Sequence, residues 1–161
     1  MPEPTKLEAL AATKLASELD ERERNILADI LTLRDLNEGE VLVREGSIDS
    51  RLYMIVRGAL GVVKNAGSTG EVTFNVLTPG DFAGELSFLD NLERYASLVA
   101  RGDARVLELE REKLEALLST HPKIVYKVMR GIVRAVHQIQ RRLAMQQAEL
   151  TNYIYKQHGR Y

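Results

Sequence analysis

Between Leu31 and about Leu109, short runs rich in valine, leucine and isoleucine are cut at regular intervals by turn-forming residues. No other feature restricts the fold of this chain as strongly. The breaks are Leu36-Asn37-Glu38-Gly39, Glu45-Gly46-Ser47, Arg57-Gly58, Gly67-Ser68-Thr69-Gly70, Pro79-Gly80-Asp81 and Arg101-Gly102-Asp103. Glycine takes positive φ without a steric penalty and proline lacks an N–H, so such clusters punctuate strands. The runs between them, Glu40–Val43, Leu52–Val56, Leu60–Lys64, Val72–Leu77, Ser97–Ala100 and Ala104–Leu109, read as strands. Many short strands at even spacing point to a small antiparallel barrel or roll.

Helical patterns flank this region. Leu7, Leu10, Ala11 and Leu15 recur at helical spacing over about Thr5 to Ser17. Asp20 with Glu23 three residues on is a capping-box start, opening a helix that buries Ile26, Leu27 and Ile30. From Glu110 the helical period returns, with Leu114, Leu117 and Leu118 as one stripe. Thr120, His121 and Pro122 then read as the cap and first turn of a helix reaching about Lys156, interrupted only by Gly131. The expected fold class is α+β, mainly β. A single domain over 1–161 holds N-terminal helices at 5–30, a β-roll at 31–110 and C-terminal helices at 111–156.

Composition excludes several function classes. The formal net charge of the 161 residues is −1, which offers no global attraction for nucleic acid or an anionic membrane. There is no cysteine, hence no disulfide, thiolate metal site or cysteine nucleophile. No apolar run approaches the ~18 residues of a membrane helix, and Met1–Lys6 lacks a signal-peptide pattern. The expected location is the cytoplasm. His121, His137 and His158 are too widely spaced for a metal site, and neither a phosphate-loop nor a nucleophile-elbow motif occurs. No catalytic residue, cofactor or metal is therefore expected.

The chemically informative segment is Pro79-Gly80-Asp81-Phe82-Ala83-Gly84-Glu85-Leu86-Ser87-Phe88-Leu89, followed by Glu93-Arg94-Tyr95-Ala96-Ser97-Leu98-Val99. Gly84 permits close backbone approach, Glu85-Leu86-Ser87 opens a short helix, and Arg94 begins the next strand. Helix N–H groups beside a guanidinium suit one anionic phosphate. A carboxylate there repels the phosphate unless it has another task, such as accepting from a sugar hydroxyl, which accounts for Glu85 near Arg94. Taken alone, two such residues are more often an ordinary surface pair.

With Gly39-Glu40-Val41-Leu42, Arg44-Glu45-Gly46 and Leu52-Tyr53-Met54-Ile55-Val56-Arg57-Gly58 ahead of it, this segment resembles a phosphate-binding cassette at 80–99. It is that of the cyclic-nucleotide-binding domains of the catabolite activator protein and of protein kinase A regulatory subunits. The resemblance runs from about Leu15 to Leu143. It implies that Gly84 belongs to the cassette, that Glu85 accepts the ribose 2′-hydroxyl and that Arg94 pairs with the cyclic phosphate of cyclic AMP or cyclic GMP. Backbone N–H groups near Leu86, Ser87 and Ala96 complete the cradle, while Val62, Phe74 and Leu77 line the pocket. Gly39, Gly46, Gly58 and Gly80 are turn-formers. Two departures stand out. Tyr95 occupies a position where the family carries a small residue, so its ring either crowds the phosphate or turns away. Gln140, in the stretch Ile139-Gln140, is the one obvious polar candidate for the base, which leaves adenine against guanine open.

Along the last helix Val125, Met129, Ile132, Val136, Ile139, Leu143, Gln146, Leu150 and Tyr153 alternate at spacings of four and three. Such a seam calls for a partner helix. The first half can pack on the roll; the rest predicts a parallel homodimer, with Gln146 fixing register. Lys123, Lys127, Arg130, Arg134, Arg141 and Arg142 make the helix locally basic, which is more often a solvated face than a nucleic-acid site. The chain ends at Tyr161, and direct DNA binding is not expected. The functional expectation is a cyclic-nucleotide sensor that signals to an effector protein through this helix. The alternative is a dimeric interaction module of the same fold with a decayed pocket.

Overall fold

The computed structural model describes residues 2–158, without the side chains of Leu86 and His158. The chain opens with helix α1 (Lys6–Ala11), a 3₁₀ turn (Lys14–Glu18) and helix α2 (Glu21–Ile30). Strands β1 (Thr32–Leu36), β2 (Val41–Val43), β3 (Arg51–Lys64), β4 (Val72–Leu77) and β5 (Phe82–Ala83) follow. Helix α3 (Glu85–Asp90), strand β6 (Ser97–Glu110), helix α4 (Arg111–Ala116) and helix α5 (Pro122–His158) complete the described chain. Both N-terminal helices start with reciprocal capping boxes, Thr5 with Glu8 and Asp20 with Glu23, so their first orphan N–H groups are satisfied locally.

The strands form one antiparallel sheet in the order β1-β6-β3-β4, with β2 added to β6 and β5 added to β3. The sequence expectation of four separate strands at Leu52–Val56, Leu60–Lys64, Ser97–Ala100 and Ala104–Leu109 is corrected here. They are two long strands, β3 and β6, paired from Arg51↔Glu110 to Val63↔Ser97. Gly58 and Gly102 both take positive φ, yet the chain bends at them rather than turning back. The register shifts between Ile55, Arg57 and Ala59, and a Cβ on Gly58 would lie 2.4 Å from the Asp103 carbonyl oxygen. A bulge at this close crossing coils the long ribbon into a roll. Strand β1 also lay outside the runs read from sequence.

Strand alternation separates two cores. Tyr53 and Ile55 face the roll interior with Leu60, Val62, Leu98 and Val106. Leu52, Met54, Leu107 and Leu109 face the helices and meet Leu10, Leu15, Leu27, Val128 and Ile132. Buried Arg105 on β6 forms a bidentate bridge to the cross-strand Asp35, at 2.5 and 2.8 Å.

The first half of α5 is held against the N-terminal segment. A Cβ on Gly131 would lie 2.7 Å from Leu15 Cδ2, so glycine is what lets the two backbones approach. The buried Glu18 carboxylate accepts from Arg130 Nε at 2.8 Å and Arg134 Nη1 at 2.5 Å, and Lys127 reaches Glu23 at 2.5 Å. Three of the helix's seven lysines and arginines are therefore spent inside the chain. Burial raises the Glu18 pKa, but hydrogen bonds and charge from Arg130 and Arg134 outweigh it and hold the group ionised.

The apolar seam changes character along its length. Val125 and Ile132 are buried in the core and Met129 packs against it. Beyond Val136 the seam opens: Ile139, Leu143, Leu150 and Tyr153 are 42 to 60% exposed. Among the described residues no helix is long and apolar enough to cross a membrane.

Candidate ligand-binding cleft

Strand β5 delivers the chain to Gly84, whose φ of +83° belongs to the left-handed region, and α3 begins at the next residue. Asn91 ends that helix, also at positive φ, and an isolated bridge between Ile48 and Glu93 returns the chain to the sheet. Arg94 is then fixed by its own backbone: its N–H donates to Ser47 O at 2.8 Å and its carbonyl accepts from Gly46 N at 2.7 Å.

The Arg94 side chain points inward and is only 5% exposed. Its Nη2 donates to the carbonyl oxygens of Asp49 (2.8 Å) and Arg51 (2.6 Å), and its Cζ lies 5.8 Å from the centroid of the Tyr53 ring. Tyr53 is buried beneath it and donates its hydroxyl to Asp49 Oδ2 at 2.5 Å. The Asp49 carboxylate itself stands 3.9 Å from Arg94 Nη2. On the other side the guanidinium covers Gly84 so closely that a Cβ there would sit 2.0 Å from Arg94 Nη1.

Among the described residues, two buried polar atoms in this cluster have no hydrogen-bond partner, Arg94 Nε and Glu85 Oε1. Desolvation pushes the Glu85 carboxyl above the usual carboxylate range, with only partial relief from Arg94. Burial likewise pulls the Arg94 guanidinium down, partly offset by Asp49 and Tyr53. Unsatisfied buried groups of this kind cost about 1–3 kcal/mol each. A guanidinium N–H and a carboxylate oxygen presented in this way are complementary to a ligand bearing both an anion and a hydroxyl donor.

These groups open into a cleft of about 370 Å³. Val62, Leu77, Ala83 and Leu98 form its floor from the roll, and Val136, Ile139 and Gln140 of α5 form one wall. All the expected site residues whose side chains are described line this cleft: Val62, Phe74, Leu77, Gly84, Glu85, Ser87, Arg94, Tyr95, Ala96 and Gln140. For Leu86 the described backbone lies in α3, while its side chain lies outside the described set. Tyr95 takes the outward alternative at 69% exposure, with its carbonyl held by Lys64 Nζ at 2.8 Å. Phe74 stands 60% exposed at the rim. A wider depression of about 510 Å³ between the turns at Gly39 and Gly67 contains none of these residues.

Sequence reasoning missed the arginine's supports, Tyr53 and the Asp49 and Arg51 carbonyls, which are more than forty residues upstream. It also missed Val136 and Ile139 as a cleft wall, because their spacing reads as seam. Asn75 was overlooked as well, although its signal was available: a period of two along β4 puts Asn75, not Phe74, on the face of Leu77.

Known proteins resemble this chain in family and in fold. Residues 33–121 match the family model of the cyclic nucleotide-binding domain. Over 113 residues the chain is 31% identical to a cAMP-dependent protein kinase regulatory subunit of Dictyostelium discoideum, covering 68% of this chain and 35% of that protein. The chain thus spans about a third of that relative's length. A cyclic nucleotide-binding domain from Methylobacillus flagellatus KT superposes with a TM-score of 0.74 at 26% identity, over 86% of this chain and 78% of the other. The regulatory domain of Toxoplasma gondii PKA, solved with cAMP, gives a TM-score of 0.59 at 28% identity, over 70% and 42% of the respective chains. By its family match and its roll, this chain belongs to the cyclic-nucleotide-binding domain family.

Proposed function

We propose that the chain is a sensor for a cyclic purine mononucleotide, bound in the Gly84–Arg94 cleft and read out through α5. The observation that carries this is the pair of unpartnered buried atoms, Arg94 Nε and Glu85 Oε1, facing one cleft. A cyclic phosphate beside Arg94 supplies the missing acceptor, and a ribose 2′-hydroxyl supplies the missing donor to Glu85. One ligand thereby satisfies both buried groups and neutralises the guanidinium. The apolar floor of Val62, Leu77 and Leu98 suits a purine face.

Signal transfer rests on α5 being both cleft wall and dimer element. Val136, Ile139 and Gln140 lie against the ligand space, so a ligand that contacts them shifts the populations of helix positions. The exposed seam from Ile139 to Tyr153 continues directly from that wall and suits a second copy of the same helix, giving a homodimer. An effector protein would read the changed dimer surface.

Isothermal titration of cyclic AMP and cyclic GMP into the wild-type chain and Arg94→Ala tests the reading. The expected result is saturable binding that the variant weakens by about 2–5 kcal/mol, the cost of removing one side of a desolvated charge contact. Binding undiminished in the variant overturns the site. Absence of binding to the wild-type chain overturns the sensor and leaves an interaction module with an altered pocket.

A further inference from the structure

We infer that Asn75 is a base-reading residue whose side-chain amide favours a 6-keto over a 6-amino purine, so that it sets the preference between cyclic GMP and cyclic AMP. The inference rests on the sensor reading and adds to it the group that distinguishes the two ligands.

Placement comes from the strand register. Asn75 lies directly opposite Val62, and Leu77 opposite Leu60. Residues facing each other across an antiparallel pair project from the same side of the sheet. Val62 is 6% exposed and belongs to the cleft floor, so Asn75 projects from that cleft-bearing side. Between Val62 and Val63 the register skips from Asn75 to Thr73, which makes Phe74 the extra residue of a bulge. The bulge brings Phe74 to the rim and leaves Asn75 as a polar group that β4 contributes to the cleft, which Gln140 of α5 also lines.

The direction of the preference comes from the hydrogen bond that Asn75 already makes. Its Oδ1 accepts from the backbone N–H of Val76 at 2.9 Å. A backbone N–H requires an oxygen there, so the amide is oriented, and its NH₂ is the group left for the ligand. A guanine edge presents two acceptors, O6 and N7, whereas an adenine edge presents the N7 acceptor and an N6 amino donor. The oriented NH₂ therefore finds an acceptor at position 6 of guanine and meets another donor at position 6 of adenine. Among the described residues Gln140 makes no comparable bond that would fix its amide, and it can present either end to either base. Asn75 is thus the discriminating partner and Gln140 the permissive one.

Affinities of the full chain for cyclic AMP and cyclic GMP, measured by calorimetry, give the test when Asn75→Ala and Asn75→Asp are compared with the wild-type chain. Asn75→Ala should lower the cyclic GMP to cyclic AMP affinity ratio about fivefold, the worth of one net hydrogen bond. Asn75→Asp replaces the donor by an acceptor and should lower the ratio further, with cyclic AMP retained better than cyclic GMP. Taking ratios cancels any shared loss from altered stability or from repulsion between a new carboxylate and the phosphate. A wild-type chain that binds both nucleotides with a ratio unchanged in both variants overturns the inference and leaves the sensor reading intact. A wild-type chain that binds neither overturns both.

Discussion

Gly131 offers a quantitative test of how α5 is held, because two known effects oppose each other there. Replacing it with alanine in a helix interior gains about 1 kcal/mol from helix propensity. Against this, the new Cβ would lie 2.7 Å from Leu15 Cδ2 and 3.4 Å from Glu18 Cγ. Leu15 is fully buried in the helix-facing core, so it cannot yield by swinging into solvent. Overpacking of a filled core costs about 1–3 kcal/mol. Taking the middle of that range, Gly131→Ala should destabilise the chain by about 1 kcal/mol, or roughly 2–4 °C in melting temperature for a domain of this size. The sign should reverse where the obstruction is absent. Leu15→Ala alone should cost about 2–5 kcal/mol, and adding Gly131→Ala to it should recover about 1 kcal/mol through propensity alone. Urea denaturation of the four proteins gives the cycle. Gly131→Ala that stabilises the otherwise wild-type chain refutes the close approach of the N-terminal segment to α5. The consequence for function is direct, since the next turns of the same helix carry Val136, Ile139 and Gln140 to the cleft.

Three further outcomes follow from the site. Glu85→Gln should stabilise the ligand-free chain relative to wild type, increasingly so as pH rises above the ordinary glutamate value of 4.5. The sign follows from the raised folded-state pKa of Glu85: its favourable contribution is complete below the ordinary glutamate value of 4.5 and is lost as pH rises through the folded value. Chemical denaturation across pH checks this, and a difference independent of pH contradicts it. Gly84→Ala places a Cβ 2.0 Å from Arg94 Nη1 in a left-handed conformation, so nucleotide affinity should fall by more than about tenfold even if the chain stays folded, a loss calorimetry detects. Leu143→Glu puts a charge in the exposed part of the seam and should convert a dimer to a monomer in sedimentation equilibrium. A wild-type chain that sediments as a monomer at micromolar concentration contradicts the dimer.

Much of this architecture was legible because it is written locally. Asp20 and Glu23 mark a helix start by chemistry confined to four residues, and they form the expected reciprocal cap. The clustering of Gly84, Glu85 and Arg94 in one cleft was legible for the same reason, since they lie within eleven positions of one another. Where meaning depends on distant chain, local reading failed. Gly58 and Gly102 look like turn glycines because a bulge and a turn both use positive φ; only the pairing of β3 with β6 separates the two. The seam on α5 has one period but two surroundings. Ile132 is buried, Ile139 borders the cleft and Leu143 is exposed, because the roll and N-terminal segment cover only the first turns. The orientation of Tyr95 was undecidable from its size alone. Its outward turn accompanies a carbonyl held by Lys64, a residue on another strand.

The central claim is that the unpartnered edge of Arg94 is where the ligand's anion sits. The most direct measurement follows the side-chain Nε–H resonance of Arg94 by ¹⁵N NMR while cyclic AMP or cyclic GMP is added to the wild-type chain. The account predicts a saturable shift of that resonance, together with shifts of the Gly84 and Ser87 amides, at a common dissociation constant. Saturable binding elsewhere with an unmoved Arg94 Nε–H would contradict it.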